Sequence, residues 1–337
     1  ANAVALGFEA GNATQGSQAV AIGSTAGKTT QGTEAIAIGG GAGTTNQGDK
    51  TVAVGRNAGV TNQGANAVAL GFEAGNATQG SQSIAIGSSA GKTTQAADTV
   101  AIGVQAGQAS QSQKAVAIGP YAGKATQGAD ATAVGHNSGK TNQGSQAVAI
   151  GKNAGGTNQG TKAVAIGLGA GLTSQGAYGI ALGENAGETN QGINSVAIGT
   201  GAGTTNQGSA AIAIGNGTAV TNQGESAIAI GNVAVLSGQG DNAIAIGNRA
   251  GGFANPQAAT SIVINATGAV LENTQQDSLV IKPIRNGTMT TILGYDDASG
   301  EVTHNAAIPG YISLADLKAV VAASTDFADY QTRIAAL

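Results

Sequence analysis

The chain contains no cysteine and no tryptophan, and only 4 of its 337 residues are proline. Without cysteine it can form neither a disulfide framework nor a zinc site with thiolate ligands. Aromatic residues make up 3% of the chain, so few large side chains are available for an ordinary globular core. Glycine is abundant, at 57 residues, but it lacks the triplet period and the proline of collagen. Regular Val and Ile content argues against disorder.

Charge is also sparse, and neither sign dominates. The 14 Lys and Arg and 18 Asp and Glu give a net charge of −4, which offers no basic stripe for a phosphate backbone. No apolar run reaches the roughly 18 residues of a membrane-spanning helix, and no signal peptide is visible. We therefore expect no nucleic-acid partner and no membrane span. Because the pattern begins without a methionine, we take the chain to be a fragment or a processed product.

A strict internal repeat occupies most of the chain. The motif A-V-A-I-G, or a close variant, recurs every 16 residues through sixteen repeats without an insertion or a deletion. Its turn glycines are Gly7, Gly23, Gly39, Gly55, Gly71, Gly87, Gly103, Gly119, Gly135, Gly151, Gly167, Gly183, Gly199, Gly215, Gly231 and Gly247. Fixed spacing indicates one structural unit stacked on itself, because an insertion would break the contacts between neighbouring units.

The repeat is too short for a pair of helices, and its A-V-A-I-G motif alternates as a β-strand does. Val and Ile lie on one face of such a strand, and the small residues lie on the other. The next residues, G-x-x-A-G, supply a corner, and T-N-Q supplies a second short extended piece. We therefore predict an all-β fold, a parallel β-solenoid (β-roll) of sixteen 16-residue coils over residues 1–252. Either strand face can fill the coil, and the sequence leaves that choice open.

The predicted core of a single coil is thin. Each coil offers only two large apolar side chains and a few alanines, which is little for one chain alone. Three chains around a common axis would bury the repeated surface, and closed cyclic assembly is the usual arrangement of identical chains. We therefore expect an intertwined homotrimer.

Glutamine occupies one shared position of every repeat except the last. The column consists of Gln15, Gln31, Gln47, Gln63, Gln79, Gln95, Gln111, Gln127, Gln143, Gln159, Gln175, Gln191, Gln207, Gln223 and Gln239. We interpret it as a structural amide ladder in which each side chain hydrogen-bonds to the next coil, in preference to a binding face. Another shared position carries Lys28, Lys92, Lys124 and Lys140, which we interpret as solvated surface.

The sequence motifs that could suggest enzymatic chemistry match their consensus patterns poorly. I-A-I-G-S-S-A-G-K-T-T-Q at residues 84–95 resembles a phosphate-binding P-loop, but three residues separate its glycines instead of four. Near-matches recur in other repeats, as a structural motif would. The two histidines, His136 and His304, are far apart in the sequence. We expect His136 to be exposed, and His304 with its acidic neighbours to form a polar loop instead of a cation site. No catalytic residue, cofactor or metal is predicted.

The motifs A-V-A-I-G, S-V-A-I-G and A-I-A-I-G, each followed by a second glycine turn, closely resemble the head repeats of trimeric autotransporter adhesins, the YadA-like heads. The resemblance covers residues 1 to about 252. It implies a left-handed parallel β-roll and an intertwined trimer. The family's unit is typically a little shorter and its return segment less regular. We also find none of the family's long coiled-coil stalk or membrane anchor in this sequence.

The period breaks after Gly251 at F-A-N-P-Q-A-A-T. We predict a β-rich cap or transition at 253–311, with a hairpin between T-T-I-L-G-Y and E-V-T-H-N, and a tail of two short helices at 312–337. The cap resembles segments that follow similar repeats in fibre proteins of phages and large DNA viruses. The first helix has an apolar stripe, which we expect to pack on a neighbour such as another fibre or virion protein. That stripe is Leu314, Leu317, Val320 and Val321.

These features predict a non-enzymatic structural fibre, extracellular, that projects from a virion or cell surface and mediates attachment to a host. The absent anchor and the cap favour a virion, with a bacterial adhesin head as the alternative. The expected partners are the chain itself, other fibre proteins and an unidentified host receptor. Two other classes stay open. An ice-binding solenoid would use a column of threonines, and a left-handed β-helix acyltransferase would have three strands per coil and a catalytic histidine between subunits.

Overall fold

The structure is a computed structural model that describes residues 2–283, 292–295, 302–305, 321–322 and 327–335. The chain divides into two compact units, Ala1–Pro283 and Ile284–Leu337. The first unit is a stack of coils, and the second contains a short strand pair and a helix.

Each repeat contributes one strand to a first sheet, which is parallel and has eighteen strands in the described part of the chain. These strands are Val4–Leu6, Val20–Ile22, Ile36–Ile38, Val52–Val54, Val68–Leu70, Ile84–Ile86, Val100–Ile102, Val116–Ile118, Thr132–Val134, Val148–Ile150, Val164–Ile166, Ile180–Leu182, Val196–Ile198, Ile212–Ile214, Ile228–Ile230, Ile244–Gly247, Ile262–Asn265 and Leu279–Lys282. Neighbours pair in register, as Val148 does with Val164. Every motif residue therefore stacks on its counterpart.

A second parallel sheet of fifteen strands carries the return segment of the described coils. Its strands are Thr14–Gln15, Thr30–Gln31, Thr45–Gln47, Thr61–Gln63, Thr78–Gln79, Thr94–Gln95, Ser110–Gln111, Thr126–Gln127, Thr141–Gln143, Thr157–Gln159, Thr173–Gln175, Thr189–Gln191, Thr205–Gln207, Thr221–Gln223 and Ser237–Gln239. The predicted parallel β-solenoid is thus confirmed. Each regular coil has two strands, which differs from the three expected of a β-helix acyltransferase.

The first sheet continues beyond residue 252. Ile244 pairs with Ile262, and Ile262 pairs with Leu279, in the same parallel sense as the strands before them. The segment that we expected to be a transition to a cap therefore adds two strands to the stack, through loops of irregular length. Asn265 stands in the sheet beside Gly247, where earlier coils place a glycine.

Alanine lines the interior of the stack. In the coil that starts at Gly135, for example, Ala147 and Ala149 are fully buried, whereas Val148 between them is half-buried and Ile150 is 39% exposed. The choice that the sequence left open is settled: the small face fills the coil, and the Val and Ile face points outward. The buried glutamine of each coil is the reason, because its long side chain already occupies the space between the sheets.

The second unit is described only in part. Ile292–Tyr295 and Val302–Asn305 pair antiparallel, and they lie within the two segments in which we predicted a hairpin. A helix spans Phe327–Ala335, and residues 321–322 are also helical. The connecting loop and most of the apolar stripe lie outside the described residues, as does the side chain of His304.

Candidate interaction surface

The glutamine column lies inside the coils. From Gln31 to Gln239 its members are at most 3% exposed, and Gln15 in the first coil is half-buried. Gln159 is representative: its Nε2 donates to the Val148 carbonyl at 2.9 Å, within its own coil, and to Gln175 Oε1 at 3.1 Å, in the next coil. The column joins the two sheets of a coil and links successive coils. It is not accessible to a binding partner.

Nine amide-to-amide hydrogen bonds connect glutamines of successive described coils. They run from Gln63 to Gln79, Gln95 to Gln111, Gln127 to Gln143, Gln143 to Gln159, Gln159 to Gln175, Gln175 to Gln191, Gln207 to Gln223, Gln223 to Gln239 and Gln239 to Gln257. Sequence reasoning missed Gln257, because an insertion shifts it out of the 16-residue count. Its place in the column can be recognised from the neighbouring sequence, because it precedes Ser261 by four residues, as Gln239 precedes Ala243.

The turn glycines lie where each first-sheet strand enters its corner. Gly151 has φ near 123°, and a Cβ there would lie 2.7 Å from the carbonyl oxygen of Gly167 in the next coil. Both the backbone conformation and the close stacking therefore require glycine. These residues hold the stack together and offer no group to a ligand.

In the described part of the chain, one buried hydroxyl is left without a hydrogen bond. Thr218 is fully buried, and its Oγ1 has no partner. Ser138 occupies the same position of an earlier coil, and its hydroxyl donates to the Gly135 carbonyl at 3.0 Å.

We expect Thr218→Val to raise the free energy of unfolding by about 1–2 kcal/mol, because it keeps the shape of the side chain and removes the unsatisfied hydroxyl. Ser138→Ala, which removes a bonded hydroxyl, should lower it by about 0.5–1.5 kcal/mol. Thermal unfolding followed by circular dichroism measures both changes. If both variants shift the melting temperature equally and in the same direction, the Thr218 hydroxyl is not unsatisfied in the folded protein.

The outer face of the first sheet is apolar along the whole stack. Each strand presents two outward side chains, mostly Val and Ile, in two continuous columns. Individual exposures are 37% for Ile38, 39% for Ile166 and 54% for Leu279. Monomeric soluble proteins seldom leave so long an apolar surface uncovered. This surface, which we call the apolar face, is the candidate interaction surface.

The outer face of the second sheet is polar by contrast. Asn142 Nδ2 donates to Asn158 Oδ1 at 3.0 Å, and Asn190 and Asn206 form the same bond. Six consecutive coils place a threonine beside this column, at Thr141, Thr157, Thr173, Thr189, Thr205 and Thr221. Earlier coils interrupt the threonine column with Ala13, Ala77, Ala109 and Ala125.

Charged side chains lie at the corners of the coils. Lys28 pairs with Glu9 at 2.7 Å, and Lys92 pairs with Glu73 at 2.6 Å. The hydrogen bond from Lys92 is the main cause that lowers the pKa of the Glu73 carboxyl. Near the end of the stack, the pKa of Glu272 is lowered chiefly by the hydrogen bond from the Asn255 side chain.

No cluster of His, Asp and Glu that could hold a metal ion is found among the described residues. His136 is exposed, and its ring meets the Tyr121 ring edge to face, with 5.8 Å between centroids. No helix in the described part of the chain is long and apolar enough to cross a membrane.

The chain is a parallel stack of coils with glycines at the corners and Val and Ile on the outer face. Its sequence was compared with known protein families. Residues 31–58, 47–74 and 239–250 match the YadA head domain repeat. These segments are therefore similar to YadA head domain repeats. The matched coils share their strands and pairing register with the coils between and beyond them, and the resemblance to YadA-like heads is confirmed. No curated protein and no solved structure matches the chain. The likeness of the cap to viral fibre proteins stays a prediction.

Proposed function

We propose that this chain is part of the head of a non-enzymatic, adhesin-like surface fibre, and that three copies assemble through their apolar faces. The observation that carries the proposal is the apolar face, which one chain leaves partly exposed over eighteen strands. The YadA head domain repeats support the same conclusion.

The free energies of burial and association favour assembly of the chains through their apolar faces. Complete burial of a Val or Ile side chain is worth about 1.5–3 kcal/mol, so a side chain that is roughly 40% exposed gains about 0.6–1.2 kcal/mol when it is covered. Each of the eighteen strands has two outward side chains; eleven of these are 37–66% exposed and the others are half-buried. Their summed gain, about 15 kcal/mol or more per chain, matches or exceeds the ~4–15 kcal/mol that association costs in lost freedom. A closed trimer also satisfies a repeated surface without continuing into a filament.

Such a fibre would act mechanically and through multivalency. Stacked backbone hydrogen bonds stiffen the coils, and three copies of any weak contact increase the overall avidity. We propose that it is displayed outside the cell, on a virion or on a bacterial surface, and that it attaches to a host. Within this proposal, the C-terminal helical segment is the part that contacts other fibre or virion proteins.

Light scattering on the purified chain tests the assembly. We expect a mass of three times the 32.1 kDa chain. Ile118→Glu with Ile150→Glu places two charges on the apolar face and should give monomers. The control, Ser110→Glu with Thr126→Glu, adds the same charge to exposed positions of the second sheet and should leave the trimer intact. A monomeric unmodified chain would overturn the proposal.

A further inference from the structure

A group of basic and aromatic residues lies at the corners of three successive coils. Tyr121 and Lys124 belong to the first of these coils, His136 and Lys140 to the second, and Lys152 to the third. We call this group the basic ridge. His136 and Lys152 are exposed, and the other three are half-buried.

Three members of the basic ridge contact one another. Lys124 Nζ lies 5.3 Å from the centroid of the Tyr121 ring, and the His136 ring packs against that ring edge to face. Coils repeat at about 4.8 Å, the spacing of neighbouring strands. Lys124 and Lys140 therefore place positive charge on successive coils near the Tyr121 ring. Lys152 adds a charge on the third coil, at the position that His136 has in the second.

Carboxylates that neutralise other lysines are missing here. Lys28 and Lys92 occupy the column of Lys124 and Lys140, and each pairs with a glutamate of the preceding coil. In the corresponding places before Lys124 and Lys140 the chain has Gln105 and Tyr121.

The excess of positive over negative charge extends over the surrounding coils. Between Asp98 and Glu184 there are five lysines and one acidic residue, Asp130, although the whole chain has a net charge of −4. Asp130 lies in the other corner of the coil, just before the strand Thr132–Val134. Like charges stacked at this spacing oppose folding slightly, so stability does not account for the arrangement.

We propose that the basic ridge binds a linear anionic polysaccharide, sulfated or carboxylated. A polymer with regularly repeated negative groups can contact lysines of successive coils, and the Tyr121 ring with the exposed Pro120 offers an apolar surface to sugar rings. Arginine, which recognises phosphate through two parallel hydrogen bonds, is absent from the ridge. This inference rests on the proposed surface fibre, because a trimer presents three ridges and gains avidity from them.

Binding of the full chain to immobilised heparin, measured by surface plasmon resonance with neutral dextran as the blank, tests the inference. We expect K124Q/K140Q/K152Q to weaken binding at least tenfold. The control K28Q/K50Q/K92Q makes the same change in net charge elsewhere on the stack and should stay within twofold of the unmodified chain. Affinity should fall as salt rises, with a smaller salt slope for the ridge variant. Equal losses in both triple variants would overturn the proposal.

Two further binding measurements test the role of Tyr121 and the choice of a polysaccharide over a nucleic acid. Tyr121→Ala should weaken binding severalfold and leave the salt slope unchanged, because it removes a contact without charge. A single-stranded oligonucleotide that binds the ridge as tightly as heparin would overturn the assignment to a polysaccharide. Light scattering on each sample distinguishes the two proposals: a trimer that does not bind heparin contradicts the ridge alone, whereas a monomer that binds it supports the ridge and contradicts the fibre.

Discussion

Replacing Gly135 with alanine is expected to lower the free energy of unfolding by roughly 3 kcal/mol or more. Gly135 has φ near 125°, where an L side chain is strained, and a Cβ would lie 2.7 Å from the carbonyl oxygen of Gly151. That oxygen belongs to the next coil, so relief requires the two coils to separate. Because each coil contacts only its neighbours, the stack should then open at this interface.

Gly128→Ala is the matched control, seven residues earlier in the same region of the stack. A Cβ at Gly128 would lie even closer to the backbone of the next coil, at Ser145 and Gly144, but the φ of Gly128 is not positive. The chain itself carries Ala96 and Ser112 at this position of other coils, and their backbone amides keep their hydrogen bonds to the next coil. We expect Gly128→Ala to lower the free energy of unfolding by roughly 1 kcal/mol.

Thermal unfolding and hydrogen exchange together measure this pair of variants. Gly135→Ala should lower the melting temperature much more than Gly128→Ala, and protection should be lost first in the coils next to Gly135. If both variants melt at the same temperature, the stacking of the turn glycines does not limit stability.

The 16-residue period predicts the parallel register because a stack of identical units allows only one alignment of equivalent residues. It does not decide which strand face is buried, since Val and Ile on one side and Ala on the other are each compatible with a closed coil. The decisive fact is that the glutamine side chain points inward and is itself fully buried, as at Gln127. An interior that holds so long a side chain has room beside it chiefly for small side chains, mostly alanine.

The ion pairs show how knowledge of the period makes contacts predictable. Glu9 and Lys28 are 19 residues apart, a distance that suggests no contact by itself. It is one full repeat plus three residues, which places the two side chains at the same corner of adjacent coils. The same arithmetic pairs Glu73 with Lys92. It leaves Lys124 and Lys140 without a carboxylate, and that absence defines the basic ridge.

Gln159→Glu is expected to make the stability of the stack depend on pH. The glutamate side chain has nearly the shape of glutamine, but the Gln159 amide faces the carbonyl oxygens of Val148 and Ala163. A carboxylate there would face the same two acceptors without a basic partner, and burial disfavours its charge, so its folded pKa is raised. The protonated acid can donate one hydrogen bond where the amide donated more, which gives a smaller loss of about 1 kcal/mol at any pH.

The direction of the pH effect follows from the raised pKa. Below the unfolded value of about 4.3, the acid is protonated in both states and no additional loss appears. As pH rises above about 4.3, the unfolded chain releases its proton first, so the folded state loses stability until pH reaches the raised folded pKa. With a shift of about 3 units or more, the additional loss at pH 7 is about 3–4 kcal/mol.

Melting temperatures of Gln159→Glu and of the unmodified chain at pH 4 and pH 7.5 test this prediction. The difference between the two proteins should be small at pH 4 and large at pH 7.5. Gln146→Glu is the control, because Gln146 is exposed in the preceding corner and other coils carry Glu34, Asp98 and Asp130 at the same position. Its difference from the unmodified chain should not vary with pH. A Gln159→Glu profile that runs parallel to the control would mean that water reaches the glutamine column, and that the amide ladder is not the sealed interior of the fibre.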